Sequence, residues 1–321
     1  MVALIYGSVV PDQKPIIAVL IPCYNEEVAV GRVIQDFRRS LPDAAVFVYD
    51  NNSTDRTSEI ARDHGAIVRL EPQKGKGNVV RRMFADVEAD IYILVDGDDT
   101  YDAAVAPVLV RVLLTECVDM VNAVREDSGS GVYRSGHRFG NWLLTSLVAL
   151  IFGNRSADIL SGYRVMSRRF VKSFPALSAG FEIETELTVH ALQLNCPIAE
   201  RRAPYRSRAL GSVSKLSTYR DGLRILRTIG QLVKDELPLA FFSTIAAFLG
   251  VGSVVISIPL FIEYFASHTV PRLPTAVLVV GLMLAALLSL FCGLVLSTVT
   301  RARNEMKRLH YLSYSIRYSG R

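Results

Sequence analysis

Ile91-Tyr92-Ile93-Leu94-Val95, followed at once by Asp96-Gly97-Asp98-Asp99, is the stretch that most constrains this chain. Five apolar residues, mostly β-branched or aromatic, predict a buried strand that breaks into carboxylates. Residues two apart on an extended backbone face the same side, so Asp96 and Asp98 converge. Gly97 between them lets the chain turn and lets a bulky ligand come close. Two hard carboxylates at the open end of a strand suit Mg²⁺ or Mn²⁺, with phosphate oxygens and water completing the shell. An acidic turn is the plain alternative, since Asp and Gly are ordinary turn residues.

The surrounding sequence decides between them. Ile16–Ile21 is a continuous apolar run ended by Pro22-Cys23-Tyr24-Asn25-Glu26, with a helix expected from about Glu26 to Ser40. Ala44–Tyr49 is a second strand, ended by Asp50-Asn51-Asn52-Ser53-Thr54-Asp55, and a helix running to His64 follows. Ala66–Leu70 is a third strand, then Lys74-Gly75-Lys76-Gly77 and a helix over Asn78–Val87. Ile91–Val95 is the fourth strand and Asp119–Val124 the fifth. Strands alternating with helices predict an α/β fold with a doubly wound, mostly parallel sheet, whose ligands bind beyond the carboxyl ends of the strands. Every polar cluster falls at such an end, so four of them converge on one crevice.

The contents of that crevice suit a nucleotide. Glu26, Asp50 and Asn52 can read the edge of a base or ribose, and Tyr24, after Pro22, can pack on a base face. Lys74 and Lys76, in a glycine-rich loop opening a helix, suit a diphosphate, with Lys76, Asp96 and Gly97 taken as nucleotide-binding. The loop matches neither G-x-x-x-x-G-K-[ST] nor G-x-G-x-x-G, which disfavours P-loop NTPases and nicotinamide enzymes. Further along, Phe181–Leu194 reads as a helix carrying Glu182, Glu184 and Glu186, and Tyr205–Lys215 as a basic loop.

The C-terminal third changes character. Leu239–Ile262 and Ala276–Val299 hold no charged side chain, and each exceeds the roughly 20 residues that cross a bilayer as a helix. Basic residues flank both runs while the connector carries only Arg272, which predicts an integral membrane protein with its catalytic domain and both termini cytoplasmic. Thr218–Glu236 reads as a basic amphipathic helix on the lipid surface. The expected organisation is therefore residues 1–215 catalytic, 216–237 a juxtamembrane helix, 238–300 two transmembrane helices and 301–321 a basic tail. The net charge of +5 is modest, and its crowding against the apolar runs favours a lipid bilayer over nucleic acid. The four cysteines lack metal-ligand spacing and read as reduced thiols. Met1–Val10 lacks the pattern of a signal peptide.

These residues resemble the inverting family-2 glycosyltransferases of the GT-A fold, in particular the polyprenyl-phosphate group that includes dolichyl-phosphate mannose synthases and bactoprenyl-phosphate glucosyltransferases. Pro22–Glu26, Asp50–Asp55 (with Asn51 where a second Asp is usual), Gly75–Gly77, Asp96-Gly97-Asp98, Asp158–Arg164 and Gly211–Lys215 are similar to that family's motifs. The resemblance implies transfer of one sugar from a UDP- or GDP-sugar to a polyprenyl phosphate with inversion, Mg²⁺ or Mn²⁺ being held by Asp96 and Asp98. It leaves a homo-oligomer open. A phosphate acceptor is already anionic, so cations rather than a base are expected to matter: Arg138 and Arg164 beside Asp98 in catalysis, and Arg125, Arg134, Arg206 and Lys215 on the acceptor phosphate. The alternative is a sugar-hydroxyl acceptor, with Glu182 or Glu184 as base; a nucleotide-binding membrane scaffold without turnover is the rival of another class. Processive synthases are disfavoured because Trp142 lacks the Gln-x-x-Arg-Trp context.

Overall fold

The computed structural model describes residues 14–127, 145–146, 148–153, 158–178, 180, 182–206 and 230–315. The chain divides into two compact units, Met1–Gly222 with Lys307–Arg321, and Leu223–Met306.

In the first unit the elements run β1 (Ile17–Cys23), α1 (Val30–Ser40), β2 (Ala45–Asp50), α2 (Thr57–Asp63), β3 (Ile67–Leu70), α3 (Lys76–Asp86), β4 (Ile91–Leu94), α4 (Ala106–Thr115), β5 (Met120–Asp127), β6 (Arg164–Ser167), α5 (Arg168–Ser173), α6 (Ile183–Leu194) and β7 (Ile198–Tyr205). The strands form one mixed sheet in the order β3-β2-β1-β4-β6-β5-β7. The β1–β2, β1–β4, β2–β3 and β5–β7 pairs are parallel, whereas β6 is antiparallel to both neighbours. The expected βαβ alternation is present, and β6 is the strand that makes the sheet mixed.

The uninterrupted apolar strands follow from burial on both faces. Val19, Ile21, Ile91 and Ile93 pack in one core with Ile34 and Phe37 of α1 and Leu109 and Leu113 of α4. Ala18, Leu20, Tyr92 and Leu94 point the other way, onto Val80 and Met83 of α3 and Leu187 of α6. Each such Leu or Ile contributes roughly 1.5–3 kcal/mol by leaving water. Two elements escape the sequence pattern. The strand β7 carries the consecutive charges Glu200, Arg201 and Arg202, which hide its alternation, and α4 follows a turn that Asp102 begins by accepting from Ala104 N at 3.0 Å.

His190 of α6 is fully buried, its Nε2 lies 3.1 Å from Ser173 Oγ, and its ring meets Phe170 and Phe174 edge-on. Burial, reinforced by the Lys307 charge, pushes its pKa down to about 3. The unfolded chain binds this proton near pH 6.5 and the folded one does not, so stability rises with pH between about 3 and 6.5 and is flat above. His190 is expected to withdraw roughly 2 kcal/mol between pH 7 and pH 5. Denaturant titrations at both pH values check this, with His190→Leu flattening the difference.

The second unit contains α7 (Pro238–Ser267) and most of α8 (Leu273–Ser313). Both helices are long and apolar enough to cross a membrane, by length and composition only. Within this unit Ser253 Oγ donates to Val279 O at 2.9 Å, and Phe242 leaves no room for a side chain at Gly293. Residues 230–236 are helical; the rest of the expected amphipathic helix lies outside the described residues.

Candidate active site

The carboxyl ends of β1, β2 and β3 are laced together by the polar residues that follow them. Asn25 N donates to Ser53 Oγ at 2.9 Å, and Thr54 N to Asn25 Oδ1 at 2.8 Å. Asn51 is the central tie. Its amide donates to Glu71 O at 2.9 Å and Gln73 O at 2.7 Å, and its Oδ1 accepts from Gly75 N at 2.7 Å. An aspartate there could not donate to two carbonyls, so the departure from the family pattern suits this loop. Gly75, at φ +126°, opens α3 in a conformation that L side chains rarely adopt.

The expected nucleotide residues line this end. Pro22 lies in β1 opposite Tyr49, Tyr24 is exposed and Glu26 is buried. Asp50 is buried and caps its own turn, accepting from Ser53 N at 2.8 Å and Ser58 Oγ at 2.5 Å. Asn52, at φ +64°, donates to Glu71 O and Pro72 O.

After β4, Val95 N still donates to Leu20 O at 3.1 Å, and the chain then breaks into the carboxylates. Asp98 is buried, its Oδ1 accepting from Thr100 Oγ1 at 2.6 Å. Gly97 is required by closeness, because a Cβ there would stand 2.6 Å from Cys23 Sγ. Lys76 reaches in from α3, its Nζ 2.5 Å from Asp96 Oδ1 and 2.5 Å from Glu184 Oε1 of α6. Burial alone would lower the Lys76 pKa, but the two carboxylates outweigh it and hold the ammonium charged. Burial raises the pKa of Glu184, whose Oε2 has no hydrogen-bond partner among the described residues.

Asp96 and Asp98 fit a divalent cation shared with a diphosphate. No group of three or more His, Cys, Asp or Glu among the described residues forms a complete cage, and Mg²⁺ and Mn²⁺ readily take substrate oxygens and water beside one or two carboxylates. Three elements of this corner carry no signature that periodicity could detect: the Lys76–Glu184 pair, the Asn51 tie, and Tyr101, whose Oη accepts from Gly162 N at 2.9 Å. Glu182, Glu184 and Glu186, at the start of α6, are the one visible hint of the first.

Of the cations expected in catalysis or on an acceptor phosphate, the three described ones each have a partner within the chain. Arg164 is fully buried in β6 and donates to Ile159 O at 2.6 Å and Ser161 O at 3.1 Å; burial lowers its pKa to about 10, which leaves it charged. Arg125 clamps Asp158 through Nε and Nη2 at 2.6 and 2.8 Å. Arg206, half exposed, lies 3.1 Å from Asp102. Arg134, Arg138 and Lys215 lie outside the described residues.

A Rossmann-like sheet with a carboxylate pair and a buried lysine at its open end defines a nucleotide-sugar transferase of GT-A type. Residues 18–174 match the model of glycosyl transferase family 2. Glycosyltransferase AglJ of Haloferax volcanii is 30% identical over 92% of this chain and 98% of its own. A dolichyl-phosphate hexose transferase of the same organism is 29% identical over 68% and 95%. The chain belongs to glycosyl transferase family 2 and is a glycosyltransferase. Among solved structures, glucosyl-3-phosphoglycerate synthase of Mycobacterium tuberculosis, in complex with Mn²⁺, UDP-glucose and phosphoglyceric acid, is 26% identical with a TM-score of 0.54, covering 67% of this chain and 80% of that one. A second complex of that enzyme contains glycerol 3-phosphate in place of phosphoglyceric acid. Its Mn²⁺ agrees with the Mg²⁺ or Mn²⁺ expected from Asp96 and Asp98.

These complexes correct the sequence reading on the acceptor. The resemblance to the polyprenyl-phosphate group, and with it inverting transfer to a polyprenyl phosphate, is withdrawn: the solved structures this chain is similar to hold phosphoglyceric acid or glycerol 3-phosphate as acceptor. Arg125 and Arg164, which that reading set at the lipid phosphate, are engaged with Asp158 and with backbone carbonyls. The expected lipid-bilayer partner and the integral membrane placement with cytoplasmic termini are withdrawn with it. They rested on two apolar runs, and length and apolar composition do not by themselves say what covers a helix.

Proposed function

We propose that this chain transfers glucose from UDP-glucose to a hydroxyl of a small phosphorylated acceptor, of the phosphoglycerate or glycerol-phosphate type. The observation that carries this reading is the set of family-fold structures at 26% identity holding UDP-glucose with such acceptors. In this reading Pro22, Tyr24, Glu26, Asp50 and Asn52 take the nucleoside, Asp96, Gly97 and Lys76 the diphosphate, and Asp96 with Asp98 the divalent cation. Bound there, that cation offsets the charge that develops on the leaving UDP. Lys76, held by two carboxylates, adds a fixed ammonium at the same corner.

A hydroxyl acceptor must lose a proton as its oxygen bonds to the anomeric carbon and UDP departs with the electron pair. Glu184 is the carboxylate we assign to that proton. Its Oε1 is on Lys76, its Oε2 has no hydrogen-bond partner among the described residues, and burial raises its pKa above the ordinary carboxylate value, which makes it a stronger base. For the acceptor phosphate, Arg206 is more readily released than Arg125 or Arg164, since a half-exposed ion pair such as Arg206–Asp102 is worth only about 0–1 kcal/mol.

The test is a mass-spectrometric assay of the full chain with Mn²⁺ and UDP-glucose, offered 3-phosphoglycerate, glycerol 3-phosphate or a polyprenyl phosphate. Hexosylated phosphoglycerate or glycerol phosphate is the expected product. Turnover with polyprenyl phosphate alone would sink the reading.

A further inference from the structure

We propose that Gly162 sets the direction of the Asp96 carboxylate and so acts as a positioning residue for the bound cation and diphosphate. This rests on the assignment of Asp96 as a ligand made above. A methyl group on Gly162 would stand 2.3 Å from Asp96 Oδ2 and 2.8 Å from Cγ, so the glycine backbone lies flush against the carboxylate. Gly162 is not among the residues at positive φ. Its backbone would accept alanine, which leaves closeness to Asp96 as the reason for a missing side chain.

The wall is rigid because buried donors strap it. Gly162 N donates to Tyr101 Oη at 2.9 Å, and Arg164 grips the carbonyls of Ile159 and Ser161 just upstream. Tyr101 follows Asp98 by three residues, so the loop carrying the carboxylates and the loop carrying Gly162 are tied at one hydroxyl. The Asp96 carboxylate is thus held at Oδ1 by Lys76 and bounded at Oδ2 by the space that a side chain on Gly162 would occupy. A ligand carboxylate held this way meets the cation already oriented, and loss of such outer support typically weakens metal binding about 10–100-fold.

The test measures Mn²⁺ binding to the full chain in the presence of UDP, without turnover, by electron paramagnetic resonance, alongside thermal unfolding. Gly162→Ala is expected to weaken Mn²⁺ binding about tenfold or more, and Tyr101→Phe about threefold, with the folded state retained. In an Asp96→Asn background each substitution should add less than about twofold, because the group it positions is already gone. If Asp96→Asn weakens binding while Gly162→Ala and Tyr101→Phe leave it unchanged, the inference is wrong and the ligand assignment stands. Undiminished effects in the Asp96→Asn background also overturn it, since they would act by another route. If Asp96→Asn itself binds Mn²⁺ normally, the ligand assignment fails and the inference with it. Should Gly162→Ala not fold, Tyr101→Phe and its double variant decide by the same criteria.

Discussion

Asp98→Asn will reduce glycosyl transfer by at least about a hundredfold, or ~2.7 kcal/mol of barrier, while leaving the protein folded. The carboxylate is buried beneath the crevice, and its Oδ1 accepts from Thr100 Oγ1 at 2.6 Å and Thr100 N at 3.3 Å. An asparagine oxygen can keep both of those bonds, so the fold should lose no more than about 1 kcal/mol. What it cannot keep is the negative charge that a hard divalent cation requires. Initial rates over a range of Mn²⁺ concentrations, read with thermal unfolding of both proteins, separate the two effects. Near wild-type turnover at saturating Mn²⁺ would remove Asp98 from the site.

The central strands β1 and β4 were legible because they are buried on both faces and therefore read as unbroken apolar runs. The carboxylate loop was legible for the same reason: Asp96 and Asp98 interrupt the most apolar of those runs. The antiparallel strand β6 could not be placed by pattern. Val165 and Met166 look like any buried strand, and direction depends on the preceding segment, from 128 to 163. The strand β7 was missed because Glu200, Arg201 and Arg202 make its sequence resemble a surface loop.

Within the site, residue type was legible and partnership was not. Arg164 is a cation in a family motif, which invites a phosphate role. Its complete burial and its bonds to Ile159 O and Ser161 O make it a strap for the loop instead. Asn51 looked like a lost acid, yet its amide makes three bonds that only a carboxamide can combine. The acceptor was misread for a related reason. Motifs that resemble the polyprenyl-phosphate group supply residue type, but the engagement of Arg125 with Asp158, Arg206 with Asp102 and Arg164 with backbone carbonyls is a property of the folded chain.

Lys76→Met will damage both stability and turnover, and a second substitution should separate them. The ammonium sits between Asp96 and Glu184, 2.5 Å from each, and both it and Glu184 are largely buried. Removing it leaves two carboxylates facing one another without a cation, and breaking a buried pair in this way costs about 3–5 kcal/mol. Losing a fixed positive charge beside the leaving diphosphate should also slow transfer about 10²–10³-fold. Adding Glu184→Gln to Lys76→Met removes one of the stranded charges, so stability should return to within about 1–2 kcal/mol of wild type. Turnover should not return, because neither the ammonium nor the carboxylate assigned to the acceptor proton is restored. Chemical denaturation and UDP release, measured on the single and double variants together, give both readouts. A double variant that regains activity along with stability would show that Lys76 only holds the fold, and would take the diphosphate role from it.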